Sequence, residues 1–404
     1  MLVNSQRRPI AVDLFAGAGG MSLGFERAGF DVLAAVEVDP IHCATYQYNF
    51  PVGKVICQDA SQIKATDIRR LSPLNNQPVD VVFGGPPCQG LSLMGKRDLD
   101  DPRNSLLQHF IRLVIELETN FFVLENVPGL IIGKCSQLLQ EMIEQLAQNG
   151  YKVRENFQTI NACNYGVPQK RERLFLMGCK KNLPLPEYPS PLADQPKVND
   201  AIADLPSVTD YPILWQRDSA IVEYGKASPY SAQLRGLLTV EDDYSYKRLY
   251  DKSLLTSSLL TKHSATCQER FALTLPGKVE PISRFYKLSP EGLCNTLRAG
   301  TNSDRGSYTS PRPIHPWEAR CITVREAARL HSYPDWFRFH VTKWHGFRQV
   351  GNSVPPRLAQ AIAREIMVTL QIQPRQSLAV YSLGEPKLLT LNPTQATQYY
   401  RKDL

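Results

Sequence analysis

Apolar, strand-like runs alternate with helical stretches from residue 9 to about residue 180, and this alternation constrains the fold more than any other feature. Strand-like runs include Ile10 to Phe15, Asp31 to Val36 and Val79 to Phe83. Such an alternation predicts a parallel or mixed sheet with helices on both faces. We therefore expect an α/β fold with a doubly wound, mostly parallel sheet, which binds ligands at the carboxyl ends of its strands.

A cysteine follows one of these predicted strands, within the run FGGPPCQGLS at residues 83–92. Each proline fixes its own φ angle and disfavours the helical region for the residue before it, so we expect Cys88 on a stiff turn. A lone cysteine is more often buried and structural, but the prolines and glycines around Cys88 argue against a packed core position. The thiol is therefore a candidate for chemistry at the carboxyl end of the sheet.

A glycine-rich loop, AGAGG at residues 16–20, joins the first predicted strand to a helix from Met21 to Ala28. Glycines let a ligand approach the backbone, and the amino end of a helix favours an anionic group. Glu37 ends the second strand, where an acid suits the hydroxyls of a ribose, and Asp59 follows a third short apolar run. The spacing is not the G-x-G-x-x-G fingerprint, and without a G-K-[ST] motif a P-loop nucleotide site is not expected.

An acid ends another apolar run, FFVLENVP at residues 121–128. Glu125 is expected to be partly desolvated at the end of its strand, which raises the pKa of a carboxyl group and suits a proton carrier near neutral pH. A helix-capping acid before a turn is the alternative interpretation.

Two arginines begin the run RERLFLMG, which follows Gln169 and Lys170. Arg171 and Arg173 alternate into a strand and so point to one face, which is either a site or a solvated surface. A fifth run, QVGNSVPP at residues 349–356, leads into an apolar helix from Leu358 to Leu370.

In this order, the five runs resemble the motifs of the DNA (cytosine-5)-methyltransferase family. The segment from Arg320 to Pro334 is similar to the part of that family that organises its target-recognition region, and the resemblance covers residues 9–182 and about 293–370. It implies a Rossmann-like fold and the transfer of a methyl group from S-adenosylmethionine to carbon 5 of cytosine in duplex DNA. The short chain favours a bacterial modification or restriction–modification enzyme over a eukaryotic maintenance enzyme.

The resemblance also implies a role for each motif residue. Cys88 would add to carbon 6 of a flipped-out cytosine and form a covalent adduct, which makes carbon 5 nucleophilic. Protonated Glu125 would neutralise ring nitrogen 3, and Arg173, together with Arg171, would hold the exocyclic oxygen and orient Glu125. No side chain is an obvious base for the carbon-5 proton, and water is a candidate.

Binding residues follow from the same resemblance. Those implied to contact S-adenosylmethionine, and S-adenosylhomocysteine as the product, are Phe15, Gly17, Gly19, Glu37, Asp59, Pro87, Asn352 and Ser353. Those implied to contact DNA are Gln89, Ser92, Arg97, Arg103, Lys262 and Arg298, and no metal site is expected.

The second half of the chain differs in texture and charge. Residues 1–180 contain 18 basic and 18 acidic side chains, so the net charge of +7 comes from the remainder, where a basic surface suits phosphate contact. Five prolines cluster at residues 184–196 and mark a linker. We expect a catalytic and cofactor-binding domain at residues 1–185, completed by about 293–373. A target-recognition domain is expected at 186–292, with His263, Arg270 and Arg284 as further candidate DNA contacts. Residues 374–404 form an extension of unknown role.

Composition and motifs also bound the alternatives. No run of 18 apolar residues suggests a membrane span. Nine cysteines without a C-x-x-C motif fit reduced thiols, so we expect the protein in the cytoplasm. We also expect it to be a monomer. A cognate restriction endonuclease, without a stable complex, is a further expected partner. A transfer-RNA cytosine methyltransferase stays open, whereas a catalytically inactive DNA-binding homologue is disfavoured because Cys88 and Glu125 are present. A nicotinamide oxidoreductase would explain the glycine loop and Glu37 but not the other four runs.

Overall fold

The computed structural model describes residues 7–87, 105–131, 135–300 and 312–401. Eight strands form the central sheet, with the bounds β1 Ile10–Leu14, β2 Asp31–Glu37, β3 Lys54–Cys57, β4 Val81–Gly84, β5 Phe121–Asn126, β6 Tyr151–Val153, β7 Gln158–Asn161 and β8 Glu172–Lys180. The strand order is β3-β2-β1-β4-β5-β8-β6, and β7 also pairs with β8. Strands β1 to β5 are parallel, whereas β8 is antiparallel to β5, β6 and β7. The predicted doubly wound, mostly parallel sheet is confirmed.

Helices cover this sheet and continue beyond it. In the described residues the α-helices are α1 Gly20–Ala28, α2 Pro40–Asn49, α3 Ala65–Leu71, α4 Ser105–Glu116, α5 Cys135–Gln148, α6 Val198–Ile202, α7 Pro229–Leu234, α8 Ala265–Leu273, α9 Val324–Leu330, α10 Lys343–Asn352, α11 Pro356–Thr369 and α12 Pro393–Tyr400. Short strands outside the sheet are β9 Ala220–Ile221, β10 Lys247–Leu249, β11 Leu254–Leu255 and β12 Val380–Ser382. In the same residues, no helix is long and apolar enough to cross a membrane.

The strands bury side chains on both faces of the sheet, because residues along a strand alternate between its two sides. On one face Val12 and Val82 belong to an apolar cluster with residues of α3, α4 and α5. On the other face Ala11 and Phe83 belong to a cluster with residues of α1 and α11. The ring of Phe25 on α1 stacks on Phe83, with the ring centroids 3.8 Å apart. The sheet is therefore a rigid layer whose strand ends can hold a site.

Helix α11 returns from late in the sequence to pack on α1. Its side chains Leu358 and Ile362 lie in the same cluster as Phe25. Gly24 allows the close approach, because a Cβ atom there would come within 2.3 Å of the Cβ atom of Ala359. The prediction that this helix packs on the first part of the chain is confirmed.

Residues 186–292 share much of their apolar support with the rest of the chain. Ala201 on α6 and Tyr230 on α7 belong to a cluster that also contains residues of α2, α9 and α10. One small cluster of buried residues lies within this region, at Val208, Leu214, Ala220, Val222, Leu255 and Leu260, and another joins Phe271 to Ile314 and Cys321 beyond it. The assignment of 186–292 as a separate recognition domain stays a prediction.

Part of that region is fixed to the sheet by buried polar contacts. Arg248 donates to both carboxylate oxygens of Glu26 on α1, at 2.7 and 2.9 Å, and the two side chains are 0% and 6% exposed. The hydroxyl of Tyr246 donates to Asp31 at the start of β2, at 2.6 Å. We call residues 242–249 the anchor segment, because these contacts fix them to the sheet region.

The chain after α11 also packs on the molecule. Strand β12 pairs in parallel with β10 of the anchor segment. A 3₁₀ helix at Pro386–Thr390 and helix α12 both contact α2, and their residues Leu389 and Tyr400 are buried. The extension is thus part of the fold, and its role stays unassigned.

Candidate active site

The glycine-rich loop leaves β1 through left-handed backbone. Phe15, Gly17 and Gly19 have φ angles of 63°, 56° and 96°, a region that favours glycine. A Cβ atom on Gly19 would come within 2.3 Å of the ring of Phe50, whereas one on Gly17 would meet nothing within 4 Å. Gly19 is therefore required for packing, and Gly17 faces open space.

Glu37 connects this loop to the end of β2. Its Oε2 atom accepts a hydrogen bond from the amide of Gly17 at 2.7 Å, and Oε1 accepts one from the amide of Asp39 at 2.8 Å. The residue is 9% exposed. Since a carboxylate has about four acceptor positions, Glu37 can still accept hydrogen bonds from a ligand.

The other residues predicted to bind the donor lie near this loop. Asp59 is exposed after β3 and accepts a hydrogen bond from the amide of Ser61 at 2.8 Å. Asn352 is exposed at the end of α10, and the hydroxyl of the next residue, Ser353, donates to the carbonyl of Val350 at 2.9 Å.

A cavity of about 500 Å³ lies at the carboxyl ends of β1, β2, β4 and β5. Its wall includes both predicted donor residues and predicted catalytic residues: Phe15, Gly17, Glu37, Asp59, Pro87, Asn352, Ser353, Glu125 and Arg173. Gly19 and Arg171 are described residues that do not line it. The structure therefore brings most of the predicted set to one place.

Glu125 and Arg173 form an ion pair in this cavity. The Nε atom of Arg173 lies 2.8 Å from Oε1 of Glu125, and the side chains are 16% and 13% exposed. Antiparallel pairing of β5 with β8 brings the two residues to the same edge of the sheet. Burial raises the pKa of Glu125, while the charges of Arg173 and Arg171 oppose the shift. The carboxyl group is therefore suited to carry a proton at higher pH than an exposed glutamate.

The loop that leads to Cys88 lies against this glutamate. A Cβ atom on Gly85 would come within 2.6 Å of Oε2 of Glu125, so a larger residue there would displace this carboxylate oxygen from its position. The side-chain amide Nδ2 of Asn126 donates a hydrogen bond to the carbonyl of Pro86 at 3.2 Å. These contacts fix the start of the proline turn beside the carboxyl group.

Arg171 has a different environment from Arg173, although both side chains leave the same end of β8. Its guanidinium is buried and donates to three backbone carbonyls, those of Leu297, Gly351 and Ser353, at 2.8 to 2.9 Å. These contacts join β8 to the end of α10. The contacts therefore favour a structural task for Arg171 over direct contact with a base.

The predicted site residues do not include four titratable residues of the cavity wall, which are Asp13, Asp39, His42 and Arg348. Asp13 is buried in β1 and accepts a hydrogen bond from the hydroxyl of Ser22 at 2.6 Å. Burial raises the pKa of Asp13 well above its usual range, and the Ser22 hydroxyl opposes the shift. In the sequence, the position of Asp13 as a carboxylate within an apolar strand could have indicated a site residue. His42 on α2 belongs to no motif.

Cys88 and four of the predicted DNA contacts lie outside the described residues; the four are Gln89, Ser92, Arg97 and Arg103. Pro87, which precedes the cysteine, is the last described residue before this gap and lines the cavity. The predicted roles of these residues stay predictions.

The remaining candidate DNA contacts are of two kinds. Lys262, Arg284 and Arg298 are exposed. His263 and Arg270 have partners within the protein. His263 accepts a hydrogen bond from the backbone amide of Cys321 at 3.2 Å, and Arg270 forms an ion pair with Glu280 at 3.5 Å. The exposed residues are the better candidates for contact with a phosphate or a base.

Comparison with known proteins gives consistent matches. The model of the C-5 cytosine-specific DNA methylase family matches residues 10–368. The type II methyltransferase M.XorII of Xanthomonas oryzae pv. oryzae is 53% identical over 393 residues, which cover 97% of this chain and 92% of that protein. M1.HphI of Haemophilus parahaemolyticus, also a type II methyltransferase, is 35% identical, and the match covers 88% of this chain and 86% of that protein. The solved structure of a prophage-encoded DNA modification methyltransferase of E. coli is similar with a TM-score of 0.76 and 36% identity, over 90% and 99% of the two chains.

Proposed function

This chain belongs to the C-5 cytosine-specific DNA methylase family, and we propose that its cavity holds S-adenosylmethionine beside a flipped-out cytosine of duplex DNA. The protein is a DNA cytosine-5 methyltransferase, since the family model spans residues 10–368. The observation that carries the proposal is a single cavity containing both the Gly17–Glu37 contact and the Glu125–Arg173 pair. A shared cavity of this kind can bring a methyl donor and an acceptor base together.

The donor is proposed to lie along the glycine loop. Gly17 leaves room beside the backbone, and Glu37 is fixed by two amides with acceptor positions left for ribose hydroxyls. Phe15, Asp59, Pro87, Asn352 and Ser353 line the rest of the proposed donor site. Bound there, S-adenosylmethionine supplies an activated methyl group, and S-adenosylhomocysteine is the product.

Cys88 is the proposed nucleophile. Its thiolate adds to carbon 6 of the cytosine, and the electron pair of the carbon 5–carbon 6 bond becomes available at carbon 5 for methylation. Loss of the carbon-5 proton to a base, for which water is our candidate, then expels the thiolate. A cytosine inside a duplex cannot reach a cavity at the edge of a sheet, so it is flipped out of the helix.

Glu125 is the proposed proton donor to ring nitrogen 3. Burial in the cavity raises the pKa of Glu125, so it keeps its proton to higher pH than an exposed glutamate does. Arg173 is proposed to orient it and to hold the exocyclic oxygen. Arg171 is proposed to act as a positioning residue, because two of its carbonyl contacts join the start of β8 to the Gly351–Ser353 segment and the third joins it to Leu297.

Several finer assignments are also part of the proposal. DNA contacts are proposed for Gln89, Ser92, Arg97, Arg103, Lys262 and Arg298. The catalytic domain comprises 1–185 and about 293–373, and residues 186–292 read the target. The enzyme acts as a cytoplasmic monomer in a type II restriction–modification system, with a cognate endonuclease that does not form a stable complex with it.

The direct test is methyl transfer by the purified protein. We expect labelled methyl groups from S-adenosylmethionine to enter duplex DNA at carbon 5 of cytosine, in one sequence context read by bisulfite sequencing, and not to enter transfer RNA. The Cys88→Ser variant should bind the donor and transfer no methyl group. Labelling of transfer RNA alone, or full activity of the Cys88→Ser variant, would contradict the proposal.

A further inference from the structure

A buried histidine contacts one of the residues that line the donor cavity. His331 is the residue after α9, and its exposed fraction is 0%. Its Nε2 atom lies 3.0 Å from the carbonyl oxygen of Ser353, and its Nδ1 atom lies 2.9 Å from the Nε2 atom of Gln169. His331 is not among the predicted site residues, and the proposed chemistry uses neither contact.

The hydrogen bonds around His331 assign its tautomer. A carbonyl oxygen can only accept, so Nε2 of His331 carries the proton and donates to Ser353. Oε1 of Gln169 accepts the backbone amide of Leu297 at 3.1 Å, so its NH2 group faces Nδ1 of His331 and donates to it. Burial lowers the pKa of His331 well below its usual range, and the charge of Arg171 lowers it further. The ring is therefore neutral, and both of its nitrogens have a partner.

The carbonyl of Ser353 is held from two sides. The guanidinium of Arg171 donates to it at 2.8 Å, and His331 donates to it at 3.0 Å. A carbonyl oxygen has two lone pairs, so both are used. Because the peptide unit is planar, these two donors fix the orientation of the whole peptide between Ser353 and Val354.

This peptide packs against the start of α1. A Cβ atom on Gly20 would come within 2.8 Å of the Cβ atom of Ser353 and within 2.5 Å of the carbonyl oxygen of Val354. All three residues line the cavity. Since the two backbones are in such close contact, a rotation of the Ser353 peptide would change the shape of the cavity wall beside the glycine-rich loop.

We propose that His331 is a positioning residue for the methyl donor, because it holds the carbonyl of Ser353 and so keeps this part of the wall in the shape that binds S-adenosylmethionine. The inference rests on the proposed donor site. Loss of one of the two hydrogen bonds lets the wall adopt other positions, and donor affinity falls in proportion to the fraction of protein that keeps the binding shape. A single hydrogen bond contributes a modest net free energy, so the loss is limited to about tenfold.

The experiment is calorimetric binding of S-adenosylmethionine and S-adenosylhomocysteine to the DNA-free protein at one fixed pH. His331→Gln can place its NH2 group near the position of Nε2, so its affinity should stay within about twofold of the unmodified protein. His331→Asn reaches only the position of Nδ1, and His331→Met has no polar hydrogen, so both should lose about three- to tenfold for both ligands. His109→Gln, on α4 and outside the cavity wall, is the control and should bind as the unmodified protein does.

The comparison of Gln with Asn separates positioning from packing. Both side chains are polar, so the comparison does not depend on the stability of the Met variant, and urea denaturation of each variant shows whether it folds. A histidine that only fills space would leave donor affinity unchanged in every variant that folds. Equal affinities of His331→Gln and His331→Asn would therefore overturn the role of His331. Failure of the unmodified protein to bind either ligand would instead overturn the proposed donor site, and this inference with it.

Discussion

The sheet region, residues 7–180 with α11, and the region of residues 186–292 are held in different ways. The sheet is packed on both faces by continuous apolar clusters. The second region has one small apolar cluster within its own residues and shares a larger one with α2, α9 and α10. Buried ion pairs such as Arg248–Glu26 fix its anchor segment to α1. We therefore expect the residues for chemistry to stand on a rigid layer, and the loops that we propose to read DNA to vary once their anchors are kept.

The largest expected effect is the loss of methyl transfer on changing Glu125, which lies on the sheet region. Glu125→Gln removes the transferable proton, and methyl transfer should fall about 10²- to 10⁴-fold while donor affinity and the free energy of unfolding change little. Single-turnover methylation measures the rate, and Glu118→Gln, an exposed glutamate after α4, is the matched control. A Glu125→Gln variant with more than half of the parent rate would exclude Glu125 as the proton donor.

The dependence of the same methylation rate on pH should have a definite direction. Burial raises the pKa of Glu125, so its protonated form persists to higher pH than in an exposed glutamate, and the rate should decline as pH rises past that raised value. The residual activity of Glu125→Gln should lack this decline. An identical profile in both proteins would assign the titration to another group.

The next effect tests the anchors. Arg248→Met leaves Glu26 buried and unpaired, and the free energy of unfolding should fall by about 3–5 kcal/mol in urea denaturation. Adding Glu26→Leu should recover most of the loss. Arg70→Met is the matched control, because the Arg70–Asp67 pair lies at the surface and is screened by solvent, so its loss should change stability little. Equal effects at the two arginines would contradict the distinction between the regions.

Donor affinity should respond less strongly. Glu37→Ala removes the charge-assisted hydrogen bonds that we propose to the ribose, and it should weaken binding of S-adenosylmethionine by about 1.5–3 kcal/mol in calorimetry. The variant should still fold, since its lost partners, the amides of Gly17 and Asp39, border the open cavity. Unchanged affinity at pH 8 would remove Glu37 from the donor site.

Exchange of loops sharpens the comparison further. One chimera replaces residues 261–286 with those of a related enzyme of different specificity and keeps the anchor segment. It should methylate a new DNA site, with about 1–3 kcal/mol of discrimination for each base that is read. Replacing 197–292 removes the anchors as well and should destabilise the protein. Bisulfite sequencing reads the target, and an active chimera of 261–286 that keeps the original site would place specificity elsewhere.

The smallest effect concerns one exposed cation. Lys262→Ala should weaken binding to all duplex sequences and reduce the slope of binding affinity against salt by about one. Lys247→Ala on strand β10 of the anchor segment, also exposed, is a control that should leave the slope unchanged. A change of preference at one base pair in Lys262→Ala would instead indicate a base contact.

The sequence predicts the sheet region well because local patterns determine it. Strands such as β1 and β5 are apolar runs bounded by turns, and Glu125 is visible as an acid at a strand end. The anchors could not be predicted, since Arg248 and Glu26 are 222 residues apart and no periodicity links them. Arg171 illustrates the same limit, because its partner carbonyls belong to segments more than 100 residues away.

We propose that Cys88, the residue after Pro87, attacks a cytosine brought to the cavity that contains the Glu125–Arg173 pair. The most direct measurement uses duplex DNA with 5-fluorocytosine at the target position, which traps the adduct because fluorine replaces the carbon-5 proton. With S-adenosylmethionine, the unmodified protein should form a covalent complex that mass spectrometry assigns to Cys88, and Cys88→Ser should form none. A covalent complex at any other cysteine, or one that persists in Cys88→Ser, would contradict the account.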